Sequence, residues 1–160
     1  MTNHRALPAP MSAYRIGDPD GMYPIWSGQG AKENAGRWND VGLNVIYASQ
    51  YYSTAMLEKL VHYSGGMPGN QHYLEITVPA GISYEVVTPD TLPGWNNKNQ
   101  LVSRAFGNAW YNESRSAVLI VPSIVARVEN NFVLNASHPE FTKITTDLET
   151  PIWWDERLFG

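Results

Sequence analysis

The sequence predicts an α+β fold, a bent or split mixed sheet with a few flanking helices, on three observations. Short runs rich in β-branched and aromatic residues recur along the chain, most clearly at Ser12–Gly17, Asn44–Ala48, Tyr73–Val78 and Ala117–Val121. Only two segments, Ser53–His62 and Leu101–Trp110, carry helical periodicity, so strands and helices do not alternate as in a doubly wound sheet. At 160 residues, with no internal repeat, low-complexity tract or linker, the chain suits one domain with one sizeable core.

Residues 1–11 hold two prolines and little pattern, and read as a loose arm. Ser12–Gly17 alternates Ala13 and Arg15 against Tyr14 and Ile16, a short strand stopped by Gly17-Asp-Pro-Asp-Gly21. An arginine inside that strand either snorkels at a sheet end or points into a site. Met22–Asp40 is glycine-rich and poor in aliphatics, which predicts a long functional loop rather than a packed element.

Asn44–Ala48 predicts a strand, and Ser49 or Ser53 offers an N-cap for the helix that follows. Across Ser53–His62, Met56, Leu57, Leu60 and Val61 form an apolar stripe, with Glu58 at its edge and Lys59 pointing outward. His62, one turn after Glu58, reads as a packed or hydrogen-bonded histidine. Ser64–Gln71 is a Gly/Pro loop, while Tyr73–Val78 and Ile82–Val87 read as strands.

Pro89–Asn99 is a polar loop around Trp95, and Leu101–Trp110 a helix on Val102, Ala105, Phe106, Ala109 and Trp110. Ala117–Val121 is continuously apolar and β-branched, as in a central strand covered on both faces. Pro122 ends it, Ile124–Val128 resumes a strand, and Asn130-Asn131 makes a turn. Phe132–Leu134 and Phe141–Ile144 read as edge strands, and Trp153 and Trp154 suit either a core or an interface.

Several classes of chemistry are set aside by composition. With a formal net charge of −4 and no run of Lys or Arg, a nucleic-acid groove is not expected. The absence of cysteine excludes disulfides and thiolate nucleophiles. The N-terminus carries no apolar segment of signal-peptide length, and the longest apolar run, Ala117–Pro122, is far short of a membrane span. A soluble cytoplasmic protein is expected. The four histidines form neither an H-E-x-x-H pattern nor a cluster, so no metal is expected. Gly28-Gln-Gly30 has Glu33 where a dinucleotide fingerprint needs its third glycine, and no strand precedes it directly.

What remains is Arg37, Tyr47 and Glu58, spaced about ten residues apart on a loop, a strand and a helix. A guanidinium reads phosphate or carboxylate bidentately. A tyrosine ring offers a flat face to a planar, even cationic, heterocycle. A carboxylate can hold a ribose hydroxyl and stabilise the positive charge that develops as a glycosidic bond breaks. These roles fit cleavage of the nicotinamide–ribose bond of NAD⁺, whose leaving group needs no protonation. Taken singly, the same residues are structural more often than not, and their spacing does not decide between the readings.

The linked motifs do. Gly28-x-Gly-Ala, Gly36-Arg37-Trp38-Asn39-x-x-Gly42, Val45-Ile46-Tyr47-Ala48-Ser49 and Ala55-x-Leu-Glu58-x-Leu-x-His62 resemble the RES domain. So do Leu119-Ile-Val-Pro-Ser123 and Asn135-x-x-His138-Pro139-x-Phe141, so that the resemblance runs from about Ala13 to the C-terminus as a single domain. Ala35 stands where the family has the first of two glycines, and Asn135-Ala-Ser-His138 departs from the family's Asn-Pro-x-His. Neither change touches a charged or aromatic site position.

The resemblance implies an ADP-ribosyltransferase-like fold and a toxin of a type II toxin–antitoxin pair. It implies depletion of cellular NAD⁺, taken as substrate, by hydrolysis or phosphorolysis. One branch of the family is described as ADP-ribosylating a protein instead. Arg37, Tyr47 and Glu58 would then be catalytic, and Arg15 and Ser123 would help hold NAD⁺. The implied partner is an Xre-like helix-turn-helix antitoxin that covers the pocket. A non-catalytic module gripping a sugar or peptide with exposed aromatics is the rival from another class.

Overall fold

The computed structural model describes residues 5–63 and 65–160. Within them one mixed sheet is built from β1 (Arg5–Ala6), β2 (Met11–Gly17), β3 (Val45–Ser49), β4 (His72–Val78), β5 (Ser83–Val86), β6 (Val118–Pro122), β7 (Asn130–Asn135), β8 (Thr145–Thr146) and β9 (Thr150–Pro151). Helices α1 (Gln29–Glu33), α2 (Tyr52–His62) and α3 (Leu101–Asn112) flank it. The strands lie in the order β1-β5-β6-β7-β3-β2-β4-β8, with β9 also on β4. Only β5 and β6 run parallel; the other pairs are antiparallel. The expected α+β class is the one found.

Period-two alternation builds a core on each face of the central strands. Val118, Phe132, Leu134, Ile46 and Ala48 pack on one face with Ile76, Val78 and Ile82. Leu119, Val121, Val133 and Val45 pack on the other with Trp38, Trp95 and Trp110. The continuous apolar run of β6 is explained by cover on both sides.

The sheet is split between β2 and β3. Elsewhere the neighbours pair over two to seven residues, but these two meet only at Tyr14 and Ser49. Helix α2 lies over both strands. Tyr52 packs edge-on between Tyr14 and Tyr73, with centroids 6.2 and 5.0 Å away.

Several sequence expectations are corrected. The arm begins a strand, because Arg5–Ala6 pair with Tyr84 and Ser83, and Leu7 is buried behind them; residues 1–4 lie outside the described part. The Met22–Asp40 loop is packed, holding α1 and the buried side chains of Ile25, Trp38 and Asn39. No serine caps α2: Tyr51 occupies the N-cap without a side-chain bond.

The C-terminal half departs as well. Ile124–Val128 is a turn, not a strand, since the Ser123 hydroxyl accepts from the Ala126 N–H and redirects the backbone. Asn130 and Asn131 are strand residues, and Phe132–Leu134 is interior, because β7 pairs with β6 on one side and β3 on the other. Pro139–Lys143 is a 3-10 turn capped by His138, whose Nδ1 accepts from the Glu140 N–H. Phe141 on that turn stacks on Trp26, at 5.3 Å between centroids. Trp153 is exposed and Trp154 buried, so of the two only Trp154 belongs to the core.

Candidate active site

Where β2 and β3 part, a cavity of about 330 Å³ opens beneath α2. Its wall takes Arg15 from β2, Tyr47 and Ser49 from β3, Asn131 from β7, and Glu58 and Lys59 from α2. Ala55, Glu58, Lys59 and His62 all line it, the spacing of a single helical face. The cavity-lining face is therefore the side of the helix opposite the predicted stripe. Leu57 and Val61 are exposed, while Lys59 and His62 face the cavity and its rim. Polar side chains point inward because there is a cavity under the helix and not a core.

Glu58 is held by one oxygen. Its Oε1 accepts from the Ser123 hydroxyl and from Asn131 Nδ2, each at 2.9 Å. Ser123 is wholly buried, and its own Oγ accepts from Ala126 N–H at 3.0 Å. Asn131 Oδ1 accepts from the Ser49 hydroxyl at 2.8 Å, across the Ser49–Asn131 register pair. Both donors converge on Oε1, so Oε2 has no hydrogen-bond partner among the described residues.

Two cations share the cavity. Arg15 donates from Nε to the Ile25 carbonyl at 2.7 Å and from Nη1 to the Tyr47 carbonyl at 2.8 Å. Burial lowers its pKa to about 10, so it is charged at neutral pH. Lys59 is held below the usual lysine value by burial and by Arg15, with Asp18 acting the other way. Neither cation forms an ion pair with a carboxylate among the described residues. Buried charge without a protein counter-ion favours an anionic ligand.

The Tyr47 hydroxyl is occupied. It donates to Asn39 Oδ1 at 2.6 Å and accepts from the Trp38 N–H at 3.1 Å. Burial pushes its pKa well above the usual tyrosine value, so the phenol stays neutral and presents its ring to the cavity. A Cβ on Gly36 would stand 2.7 Å from Asn39 Oδ1 and 2.9 Å from the Tyr47 hydroxyl, which explains the glycine there.

The loop carrying Arg37 is fastened from the opposite side by α3. Ser103 Oγ donates to the Arg37 carbonyl at 2.7 Å and Arg104 Nε to the Gly36 carbonyl at 3.1 Å. The fit of helix to loop is so close that a Cβ on Gly107 would lie 1.8 Å from the Trp38 carbonyl oxygen. Arg37 donates from Nη1 to the carbonyls of Trp95 and Asn97, both at 3.1 Å. Burial lowers its pKa, and the field of Glu58 partly restores it.

Of the residues expected from sequence, Arg15, Tyr47 and Glu58 are together in the cavity wall. Arg37 is not in the wall and acts on Glu58 through its field. Ser123 does not reach the cavity and touches Glu58 instead. Sequence reasoning missed Asn131, Ser49 and Lys59. Asn131 was hidden inside a turn-like Asn-Asn pair, and Lys59 was assigned to the outer face of α2. Among the described residues, no cluster of three or more His, Cys, Asp or Glu is placed to hold a metal ion, and no helix is long and apolar enough to cross a membrane.

A model of the RES domain matches residues 12–155. The chain is 44% identical over 119 residues to the Prs ADP-ribosylating toxin of Sphingobium sp., covering 71% of this chain and 74% of that protein. It is 33% identical over 152 residues to Toxin Res of Photorhabdus laumondii, covering 92% and 97%. In three dimensions it is similar to a chain from the crystal structure of the M. tuberculosis MbcT–MbcA toxin–antitoxin complex. The TM-score is 0.73, at 15% identity, over 96% of this chain and 89% of that one. At that identity the likeness concerns the fold alone.

Proposed function

The chain belongs to the RES domain family, and on that premise we propose that it is the toxin of a toxin–antitoxin pair, cleaving the nicotinamide–ribose bond of cytoplasmic NAD⁺. The observation that carries this reading is the pairing, in one cavity, of a carboxylate with one oxygen free and two cations without counter-ions among the described residues. A dinucleotide needs both. Its pyrophosphate is anionic and suits Arg15 and Lys59, and its ribose becomes cationic as the glycosidic bond breaks.

The bond from ribose C1′ to the pyridinium nitrogen breaks, and its electron pair leaves with neutral nicotinamide. Positive charge passes to the ribose ring, where Glu58 Oε2 stabilises it. Tyr47 lies against the nicotinamide with its ring, and Arg37, outside the cavity wall, contributes only its positive field to the anionic substrate. A water oxygen or a phosphate oxygen then bonds to C1′; water gives up its proton to solvent. Because the leaving group departs uncharged, no general acid is required, and catalysis rests on placement and fixed charge. Ser123 serves by holding Glu58. The structural neighbour comes from a toxin–antitoxin complex, which supports an antitoxin partner; that this partner is an Xre-like helix-turn-helix protein covering the cavity is what the motif resemblance implies.

The Sphingobium relative's description as ADP-ribosylating supports a second reading, in which the ADP-ribosyl group is transferred from nicotinamide to a protein side chain. Incubating the purified chain with NAD⁺ alone separates the two. Nicotinamide release over many turnovers, with or without phosphate, is expected. Release only when a protein acceptor is added would establish transfer instead, and no release under either condition would overturn both.

A further inference from the structure

We propose that Asn131 is a positioning residue for Glu58, itself oriented by Ser49, and that these two side chains fix which carboxylate oxygen faces the substrate. The inference rests on the reading of Glu58 just given. A carboxylate only accepts hydrogen bonds, so the amide must turn Nδ2 toward Glu58, where it stands 2.9 Å from Oε1. That leaves Oδ1 for the Ser49 hydroxyl, 2.8 Å away. Ser49 and Asn131 are directly opposite on β3 and β7, so the sheet register sets their approach.

Ser123 reaches the same Oε1 from the other side of the turn before β7. With two donors on one oxygen, the carboxylate cannot turn out of its plane without losing both, and Oε2 is left unbonded among the described residues in a side chain that lines the cavity. A group already in place needs no reorganisation as charge develops. The side chain is not what holds β7: that strand's ladder to Ser49 and Val121 is made by the backbone. The titratable groups around Glu58 are Tyr14 and Arg15 on β2, Tyr47 on β3, Arg37 in the loop before it, Lys59 and His62 on α2, and Glu129, bonded to Thr54 of α2, before β7. None of them hydrogen-bonds to it among the described residues.

Asn131→Asp tests the role. It keeps the shape and the Ser49 contact but sets a second carboxylate against Glu58, disfavouring ionisation of the pair. With NAD⁺ as substrate, the acid limb of the pH–rate profile should rise by about one pH unit or more, so that kcat measured on that limb falls about tenfold. KM should stay within about threefold, since the effect falls on the transition state. Ser49→Ala should lower kcat in the same direction but by less. Independently of turnover, the carboxyl carbon-13 titration of Glu58 should move to higher pH in Asn131→Asp by about one unit. Coincident titration curves overturn the proposal, as does a shifted titration with unchanged kcat, or a loss confined to KM. Wild-type protein that releases no nicotinamide, or Glu58→Gln that releases it at the wild-type rate, defeats the functional reading instead. The titration then still decides whether Asn131 holds Glu58.

Discussion

Arg15 donates from Nη1 to the carbonyl of Tyr47 at 2.8 Å, across the gap where β2 and β3 separate. A paired strand would have satisfied that carbonyl with a backbone N–H. Here a side chain does so, and the same guanidinium is a fixed charge in the cavity. Arg15→Met should therefore cost twice: about 1–3 kcal/mol of stability for an unpaired buried acceptor, and a raised KM for NAD⁺. Denaturant unfolding and initial rates measure the two separately. A variant with wild-type stability would show that the carbonyl finds water.

Removing the charge of Glu58 should be far worse than removing one of its supports. Glu58→Gln is expected to lower kcat by about 10²–10³. Ser123→Ala is expected to lower it about tenfold, the order of one lost hydrogen bond to a charged group, with KM little changed. If Ser123→Ala raises KM and spares kcat, the hydroxyl touches substrate and its placement behind Glu58 is not the working one.

Lys59 supplies a pH dependence. Burial and the neighbouring Arg15 hold it below the ordinary value of 10.5, so it loses its proton earlier than a solvated lysine. A phosphate favours the charged form, and the neutral amine attracts no anion; KM should thus rise as pH climbs toward 10.5. In Lys59→Met, KM should already be high at pH 7 and flatter over that interval. Equal alkaline slopes for both proteins would assign the effect to another group.

Gly36→Ala should push Asn39 and Tyr47 apart, since the added Cβ would sit 2.7 and 2.9 Å from their polar atoms. A loss of about 1–3 kcal/mol is typical for forced overpacking, and the displaced loop should carry Arg37 with it and depress kcat. Thermal unfolding beside nicotinamide release would show whether both change together.

The fold was legible where packing follows pattern. The strands at Ser12–Gly17, Asn44–Ala48, Tyr73–Val78 and Ala117–Val121 lie within a residue or two of their predicted ends, because each shows its two faces to two cores or to core and solvent. It was not legible where a polar side chain overrides local tendency. Ser123 bends the chain at Ile124, and Asn131 lies in a strand because its backbone pairs with both Ser49 and Val121, which frees its amide for Glu58. The orientation of α2 misled for a related reason: periodicity locates an apolar stripe but says nothing of a cavity that draws Glu58, Lys59 and His62 inward. Of the site, Arg15, Tyr47 and Glu58 were visible as residue types in linked motifs. Hydrogen bonds between Ser49, Asn131, Glu58 and Ser123 join residues up to 82 positions apart, and no local signal announces them.

Gly107 stands in the middle of α3, away from the cavity, with no room for a methyl group against Trp38. Every substitution of a glycine adds at least that much. If this chain poisons the cell that makes it, surviving lineages have an inexpensive way out: one missense change in a helix that never touches the substrate. Escape mutants should collect at that notch as readily as at Glu58.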